Sequence, residues 1–390
     1  MKMKVGLVWW ICLAWLAPGW SAEPPLFFRL TASTNSAIIG LSSSGVLTWS
    51  NSADQGTYLV ERSRNLMPDA WGPITRGNFS SHVWTAKVDD PSPPARMRFI
   101  PGGRFTMGDI LGDFANATPV HTVYISPFYL AEHEVTNDDM REVLQWAYER
   151  EWISVTASGI PSTDGSTNLL FALNRYNSEI QFTSGTFTVR AGRGQYPCVL
   201  VSWYGAVAYC NFLSLMHGRQ PCYDLTNWTF QASPDGYRLP TESQWEIAAR
   251  GGYEGLRFPW PDTNVITHSR ANYRATTNFS YDASPTLGFH PAYANAHPRT
   301  SPVGSFSPNN FGLYDMSGNV WEWCWDWVGK YPAAVQYDPL GPATGTNRTF
   351  RGGSWLTVAQ STTCASRYTS MLPSKVFDDI GLRVALPCPP

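Results

Sequence analysis

The sequence predicts a mixed α+β protein in which a loop-rich domain follows a small all-β, sandwich-like domain. Three observations indicate this class. The chain of 390 residues is long enough for two or three domains. Short β-type segments dominate the first quarter of the chain, whereas only three clear helices follow. Gly, Pro, Asn and Trp lie in irregular order between these helices, which favours loops over regular structure.

The N-terminus has the pattern of an export signal. Lys2 and Lys4 precede an apolar run from Val5 to Ala17, and small residues around Ser21 offer a cleavage site. The run is about 13 residues long, whereas a helix that spans a bilayer needs ~20. We therefore expect residues 1–22 to be a signal peptide, the protein to be exported to the periplasm or the extracellular space, and no membrane span to remain after cleavage. The alternative is an uncleaved anchor.

Composition argues against two classes of protein. The net charge is −2 and no run of Lys or Arg is present, so we expect no nucleic-acid partner. Aromatic residues make up 14% of the chain, whereas disordered proteins contain few of them. We therefore expect a folded protein.

Residues 23–94 account for the all-β part of the prediction. Runs of β-forming residues cover 37–41, 46–49 and 57–61, and polar stretches of Ser, Asn and Gly separate them, as is typical of a small β-sandwich. The segment 89–94 reads Asp-Asp-Pro-Ser-Pro-Pro, a stiff polar linker that predicts a domain boundary. A spacer or adhesion role is expected for this domain.

Residues 95–390 form the second predicted domain, with helices over 136–150, 202–217 and 241–250. Each begins at a residue that favours the N-cap position, namely Thr136, Ser202 and Thr241. The third helix opens with Thr-Glu-Ser-Gln, which is a capping box, and it stops at a Gly-Gly pair.

Six cysteines remain after signal removal: Cys198, Cys210, Cys222, Cys324, Cys364 and Cys388. Export would permit disulfides, but the spacing does not select one pairing among the many that are possible. No Cys-x-x-Cys pair or Cys/His cluster is present, so a structural zinc site is not expected.

An ordered set of motifs runs through the second domain. They read FIPGGRFTMGD (99–109), PVHTVYISPFYLAEHEVTN (119–137), YPCVLVSWYGAVAYCNFLS (196–214), YRLPTESQWEIAARGG (237–252), SPVGSFSPNNFGLYDMSGNVWEWCWDW (301–327), FRGGSW (350–355) and GLRVA (381–385). Together they resemble the sulfatase-modifying factor family, which includes the formylglycine-generating enzymes. The resemblance covers nearly all of 95–386 and implies a loop-rich fold related to the C-type lectins.

The resemblance implies copper chemistry, and the residues argue against it. Enzymes of the family oxidise a sulfatase cysteine to formylglycine with O₂ and copper, which two cysteines bind. Cu(I) is soft and prefers sulfur ligands. In this chain Thr357 and Thr362 stand where the resemblance places those cysteines, so we expect no copper site. Ser354 and Trp321 match the family's pocket residues.

The resemblance also implies calcium. By position, the ligands would be the Asp315 side chain, the Gly318 and Val320 carbonyls and Glu322, an oxygen-only set that suits a hard cation. A second site would begin with Asn272 and the Tyr273 carbonyl, and Asp282 and the Phe289 carbonyl would complete it.

The family's structural disulfides cannot form as usual, because Ala249 and Val384 occupy two of the partner positions. The pairs Cys324–Cys364 and Cys210–Cys222 are the resulting hypotheses.

The leading interpretation is a calcium-stabilised binding module for a peptide, protein or glycan, with a groove near Ser354, Trp321 and Trp355. The alternative is a divergent formylglycine-generating oxidase or another protein-modifying enzyme that acts on sulfatase-type cysteines. Relatives that form sulfoxides with non-haem iron rank last, because their iron histidines come from an added helical domain and residues 23–94 contain only His82.

Overall fold

The computed structural model describes residues 96–173, 175–231 and 235–388 in full, and it assigns the backbone of strands within residues 8–87. The chain divides into two compact units, of which the first comprises Met1–Pro93, Pro101–Gly103 and Pro390, and the second Pro94–Ile100 and Arg104–Pro389. Apart from strand backbones, the expected signal peptide (1–22) and sandwich-like domain (23–94) lie outside the described residues, and both stay predictions.

The strands assigned in the first unit form two antiparallel sheets. Their bounds are β1 (Val8–Leu13), β2 (Leu26–Ala32), β3 (Ser36–Leu41), β4 (Val46–Asn51), β5 (Gly56–Ser63), β6 (Gly72–Phe79) and β7 (Val83–Lys87). One sheet has the order β1-β2-β5-β6 and the other β3-β4-β7. Strand β1 lies within the segment expected to be the signal peptide.

The three predicted helices are present in the second unit: α1 (Asn137–Tyr148), α2 (Trp203–Met216) and α3 (Glu242–Ala249). The predicted N-cap residues are confirmed, because the side chains of Thr136, Ser202 and Thr241 each accept a backbone N–H of the first turn. Complete capping boxes form at Thr136 and Thr241, so local sequence is enough to fix where these helices begin. Short 3-10 helices cover Ala115–Ala117 and Ala359–Thr362.

The strands of the second unit are short, as a loop-rich fold requires. Their bounds are β8 (Met97–Ile100), β9 (Gly103–Met107), β10 (His121–Ile125), β11 (Phe128–Ala131), β12 (Gly159–Pro161), β13 (Leu169–Ala172), β14 (Ile180–Thr183), β15 (Thr186–Val189), β16 (Tyr223–Asp224), β17 (Thr229–Phe230), β18 (Trp321–Trp327), β19 (Gln336–Tyr337), β20 (Arg348–Arg351), β21 (Arg367–Tyr368), β22 (Ile380–Gly381) and β23 (Ala385–Pro387).

One sheet of the second unit positions the residues that the motifs singled out. Its order is β21-β20-β18-β22. Strand β18 pairs antiparallel with β20 and parallel with β22. The loop that leaves β20 therefore passes beside the start of β22. The remaining sheets are β19-β10-β9, β23-β11-β8 and the hairpins β12-β13, β14-β15 and β16-β17.

Tryptophans provide much of the core of the second unit. Trp203, Trp245 and Trp323 are fully buried, and the indole N–H of each finds an acceptor. Trp203 donates to the Cys324 carbonyl at 2.9 Å and Trp323 to the Val201 carbonyl at 3.1 Å. The alternating tryptophans of β18 thus serve core packing at Trp321 and Trp323, while Trp325 and Trp327 are half-buried.

Buried charges tie α3 to the strands around it. We call the set formed by Glu242, Glu246, Arg250, Arg351 and Arg367 the α3 ionic network. Arg351 donates to a Glu246 carboxylate oxygen, and Arg367 binds Glu242 through Nε at 2.7 Å and Nη2 at 2.8 Å. Arg250 Nη2 donates to Glu246 at 2.8 Å. All five side chains are buried, so opposite charges replace water as the partner of each.

Across the described residues, every helix is too short or too polar to cross a bilayer.

Candidate functional site

The loop that follows β20, residues 352–363, contains the serine and both threonines of the motif. We call it the Ser354 loop. Gly352 and Gly353 open it with φ of 96° and 75°, a region that favours glycine. A Cβ on Gly353 would lie 2.7 Å from Thr362 Cγ2, so the turn and its packing both require glycine. The Gly318 N–H donates to the Gly352 carbonyl and the Trp355 N–H to the Asn319 carbonyl, each at 2.8 Å.

Ser354 is buried and its hydroxyl is committed to a carboxylate. The hydroxyl donates to Asp379 Oδ2 at 2.8 Å. Burial raises the pKa of Asp379 to about 6, although the hydrogen bond from Ser354 opposes the rise. The motifs did not identify Asp379, which precedes β22. A pair of carboxylates one residue ahead of GLRVA was the signal that could have found it.

Both threonines of the loop hold backbone in place. Thr357 Oγ1 accepts the Ser354 N–H at 2.9 Å and donates to the Ser354 carbonyl at 3.1 Å. Thr362 is fully buried and its hydroxyl donates to the Ala359 carbonyl at 2.9 Å. These hydroxyls close turns, as short polar side chains often do. The donor set does not fit copper, which needs sulfur.

None of the five buried cysteines supplies the missing thiolates. Cys198, Cys210, Cys222, Cys324 and Cys364 are buried free thiols, so neither hypothetical disulfide, Cys324–Cys364 or Cys210–Cys222, is formed in the structure. Burial raises the pKa of Cys364 to about 12 and that of Cys222 to about 11. It also raises the pKa of each of the other three. Raised pKa values keep these sulfurs protonated and poorly reactive.

The expected groove near Ser354, Trp321 and Trp355 needs correction, because all three side chains are buried, at 0%, 4% and 2% exposure. Ser354 faces Asp379, Trp321 packs edge-on against Phe350 with ring centroids 5.0 Å apart, and the Trp355 indole N–H donates to the Asp378 carbonyl. Sequence matching identified the positions but could not show that neighbouring side chains cover them.

Exposed and half-buried side chains surround these three buried residues. We call Tyr176, His297, Leu356, Phe377 and Asp378 the Ser354 face. Tyr176 is 89% exposed, and Leu356 and Phe377 are 42% and 43% exposed. The His297 ring lies 5.7 Å from that of Tyr176 and 6.0 Å from that of Trp355. His297 Nδ1 is 3.7 Å from Asp378 Oδ2 and makes no hydrogen bond, although it is buried.

The calcium residues expected near β18 are arranged differently from the expected set. The Glu322 carboxylate is engaged by protein donors: Arg383 Nη2 lies 2.7 Å from Oε1, and Trp245 Nε1 lies 2.7 Å from Oε2. Asp315 accepts the Gly304 N–H at 2.7 Å through Oδ2, whereas its Oδ1 is buried without a partner.

Glu134, which the sequence analysis did not select, lies beside Asp315. Its Oε1 accepts from Asn319 Nδ2 at 3.1 Å, and its Oε2 is buried without a partner. Burial raises the pKa of Glu134 well above its usual value, and Asp315 adds to the rise. Burial raises the pKa of Asp315 to about 6. A carboxylate in the HEVTN motif, between a buried strand and a helix cap, was the available signal.

The fit to a hard cation is therefore partial. Two orphaned carboxyl oxygens, Glu134 Oε2 and Asp315 Oδ1, are the ligands that Ca²⁺ prefers. Gly318 lies against Asn272 of the second expected calcium set, because a Cβ added at Gly318 would lie 2.3 Å from the Asn272 carbonyl oxygen. Among the residues described, no three His, Cys, Asp or Glu side chains are grouped as metal ligands.

The second expected set is occupied by internal hydrogen bonds. Asn272 Nδ2 donates to the Arg299 carbonyl, and the Tyr273 carbonyl contacts His268 Nε2. Asp282 accepts from the Tyr273 hydroxyl at 2.5 Å and from the Thr276 N–H at 2.7 Å. These bonds close a local turn around Tyr273.

We compared the chain, with its loop-rich fold and its Ser354 loop, with families of known proteins. Residues 85–387 match the sulfatase-modifying factor enzyme 1-like domain. The chain belongs to this family, and the family prediction from the motifs is confirmed.

The chain is similar in sequence to a kinase and to an enzyme, and in structure to a third protein. The serine/threonine-protein kinase pkn1 of Chlamydia pneumoniae is 33% identical over 319 residues, which cover 80% of this chain but 42% of the kinase, so the chain spans less than half of that relative. The formylglycine-generating enzyme of Streptomyces coelicolor is 32% identical over 293 residues, covering 70% of this chain and 84% of the enzyme. The solved structure of Treponema denticola variable protein 1 aligns with a TM-score of 0.51 at 26% identity, covering 80% and 96% of the two chains.

Proposed function

We propose that this protein is an exported, calcium-stabilised binding module without copper oxidase chemistry, and that its ligand is a peptide segment of another protein. The observation that carries this proposal is the Ser354 loop. Thr357 and Thr362 stand where the family resemblance places the copper cysteines, and their hydroxyls are engaged in backbone turns.

The chemistry of the side chains supports the absence of oxidase activity. A threonine hydroxyl is a hard donor, whereas Cu(I) requires soft ones. The nearest cysteine in sequence, Cys364, follows the loop and packs in a buried cluster with Cys324 and Trp245. Its raised pKa, caused first by burial, disfavours the thiolate that a metal needs.

The Ser354 face supports peptide binding. It combines three exposed apolar or aromatic side chains with an imidazole–carboxylate pair, and exposed apolar patches rimmed by polar groups mark interaction sites. Leu356 stands at the tip of the loop that would otherwise carry the first copper cysteine. Leu356 and Phe377 contribute apolar contacts rather than hydrogen bonds, and the aliphatic Leu356 offers no ring on which a sugar could stack, which favours a peptide over a glycan.

One experiment separates binding from oxidation. Purified protein is incubated with copper, O₂ and a cysteine-containing sulfatase peptide, and the aldehyde product is measured by mass spectrometry. We expect no aldehyde. Aldehyde formation that Ser354→Ala abolishes would instead establish the divergent oxidase.

A second experiment tests the Ser354 face. A random peptide display library is selected on the wild-type protein, and retained clones are tested on Leu356→Asp and on Leu287→Asp, a control at another exposed leucine. We expect Leu356→Asp to abolish capture and the control to retain it. Equal capture by both variants, or binding on a glycan array only, contradicts the peptide proposal.

We propose calcium ligands that include Asp315, the Gly318 and Val320 carbonyls and Glu134, with Glu322 balancing Arg383. A cation there would neutralise two buried carboxylates, each of which has one oxygen without a hydrogen-bond partner. In a calcium titration followed by thermal unfolding, we expect a rise in Tm that Asp315→Asn abolishes and Glu134→Gln weakens. Glu322→Gln should lower Tm without changing calcium affinity. A Tm that does not respond to calcium contradicts the site.

Export rests on residues 1–22. Expression of the full chain in a bacterial host, followed by N-terminal mass analysis of the protein from the periplasm and medium, should give a start near residue 23. An intact N-terminus on protein that stays inside the cell contradicts export.

A further inference from the structure

A cavity lies apart from the Ser354 face and shares no residue with it. It encloses about 240 Å³ between the β16–β17 hairpin, β18, the first turn of α3 and the segments after β10 and β19. Its lining includes Tyr223, Phe230, Arg238, Trp325, Asp338 and Leu340. The volume is below the ~300–1,000 Å³ typical of sites for drug-sized ligands, which suits a group the size of one amino acid. We call this cavity the Arg238 pocket.

Aromatic rings form one wall of the Arg238 pocket. Tyr223 and Trp325 are stacked with centroids 5.1 Å apart and an interplanar angle of 21°. Phe230 leans on both, with centroids 5.8 Å from each ring. Three rings locked against one another present a rigid surface that loses little entropy when it binds a flat or apolar group.

The Arg238 side chain lines the same pocket and forms no ion pair with the described residues. Arg238 Nη1 donates to Gln244 Oε1 at 2.7 Å and to the Leu239 carbonyl at 3.1 Å. Its Nε and Nη2 make no hydrogen bond to the described residues. Neither nitrogen belongs to the buried polar atoms that lack a partner, so both are accessible from the pocket. No ion pair among the described residues includes Arg238. Burial lowers the pKa of the Arg238 guanidinium, and the nearby Asp338 carboxylate opposes this shift without outweighing it.

The remaining polar groups of the pocket are already engaged. Asp338 stands exposed at the rim, and its two oxygens accept the Ser126 N–H and hydroxyl at 2.7 Å each. Gln244 and Thr241 form the capping box of α3, whose N-terminal end favours negative charge nearby. The two free guanidinium nitrogens therefore remain as the hydrogen-bond donors available to a ligand.

We propose that the Arg238 pocket binds the carboxylate of an aromatic amino acid, with the carboxylate on Arg238 and the ring against Trp325 and Phe230. A guanidinium presents N–H groups in a planar arrangement that matches two carboxylate oxygens. The stacked rings accept a planar side chain, and Leu340 covers the mouth. This site is independent of the Ser354 face and of its proposed ligand.

Two sources could supply such a carboxylate: a free amino acid or the C-terminal residue of a peptide. They differ in the α-nitrogen, which is an ammonium in the free amino acid and an amide in the peptide. Asp338 at the rim would favour the ammonium. Tighter binding of L-phenylalanine than of N-acetyl-L-phenylalanine identifies the first source, and the reverse order identifies the second.

The test is calorimetric titration of the full chain at low ionic strength with N-acetyl-L-phenylalanine, L-phenylalanine and N-acetyl-L-phenylalaninamide. We expect saturable binding of at least one carboxylate and at least roughly tenfold weaker binding of the amide, which cannot pair with Arg238. Arg238→Gln should weaken carboxylate binding by a similar factor. Arg104→Gln, at an exposed arginine, should leave it unchanged.

A second variant guards against loss of folding, because Arg238 also holds Gln244. Leu340→Trp fills the mouth from an exposed position and leaves Arg238 intact, and we expect it to abolish binding while Tm stays at the wild-type value. The proposal is overturned if neither carboxylate binds at up to roughly 10 mM. It is also overturned if the amide binds as well as the acid, or if Leu340→Trp binds normally.

Discussion

Carboxylates are buried in two places in this domain, and the two places differ in how completely these carboxylates are paired with donors and cations. In the α3 ionic network, Glu246 accepts from the Gly108 N–H, from Arg250 and from Arg351. At the Glu134–Asp315 pair, each carboxyl has one oxygen with a donor and one with none. The carboxylates of the first region are fully paired with cations, whereas the nearest cation of the second, Arg383, is hydrogen-bonded to Glu322 instead.

The pKa directions follow from this difference. Burial alone would raise the pKa of Glu246, but Arg250 and Arg351 outweigh burial and the pKa is lowered. For Glu134 burial dominates and the pKa is raised, because Arg383 is mainly occupied by Glu322. Complete pairing therefore makes charge part of the core, whereas incomplete pairing leaves a site that can take up a proton or a cation.

The largest effect on stability is expected when one charge is removed from the α3 ionic network. Arg351→Met leaves Glu246 without one of its cations and frees the Ala365 and Ser366 carbonyls that Arg351 binds at 3.0 and 2.7 Å. We expect a loss of about 3–5 kcal/mol in the free energy of unfolding. Urea unfolding followed by tryptophan fluorescence measures it, and a loss below ~1 kcal/mol would show that the network is dispensable.

Next in size is a pH dependence of stability that belongs to the carboxyl pair. Asp315 has a folded pKa raised to about 6, so the folded state holds a proton that the unfolded state releases near pH ~4. In EDTA, stability should therefore fall as pH rises from about 4 through 6, by on the order of 1–3 kcal/mol.

Asp315→Asn should flatten that part of the profile, because its amide does not titrate. The contribution of Glu246, whose pKa is lowered, runs the other way and is lost as pH falls. Superimposable profiles for wild type and Asp315→Asn between pH 4.5 and 7.5 would contradict the assignment of the slope to the pair.

A smaller effect is expected at the start of α3, the helix that carries Glu242 and Glu246 into the network. Thr241→Ala removes the hydroxyl that accepts the Gln244 N–H at 3.2 Å, and it should cost about 1 kcal/mol. Thr241→Ser keeps the hydroxyl and serves as the matched control in urea unfolding. A loss as large for Ser as for Ala would mean that packing of the methyl group, not capping, matters here.

The smallest effect is expected at an exposed ion pair of the same chemistry. Arg96 Nη1 lies 3.1 Å from Asp139 Oδ1, with the two side chains 58% and 31% exposed. Arg96→Gln should change stability by less than ~0.5 kcal/mol, since water solvates both charges. Comparison with Arg351→Met in the same assay isolates burial as the cause, and equal losses would remove the distinction.

Local rules explain which elements the sequence could predict. The three helix starts depend on Thr136, Ser202 and Thr241 and on neighbours within one turn, so they are visible in the sequence and confirmed by the structure. The family also follows from ordered motifs. Short strands such as β16 and β22 have no signal of their own, because their pairing depends on distant partners.

The candidate site was predictable only in part. Thr357, Thr362 and Ser354 follow from the loop motif, but the partner of Ser354 does not, because Asp379 reaches it through the β18–β22 pairing. Glu134 and Asp315 meet only when β11 and β18 fold together. Burial of Trp321 and Trp355 is likewise a property of packing, so the sequence alone could not show that these side chains are covered by their neighbours.

The sheet β23-β11-β8 has a consequence for how this domain can be combined with others. Register places Met97 opposite Ala131 and Pro387 opposite Phe128, on the two sides of one strand. At ~4.8 Å between strands and ~3.4 Å per residue, the points where the chain enters and leaves are roughly 15 Å apart. Chain ends this close together allow a domain to be inserted into a host protein or circularly permuted with a short linker at each junction.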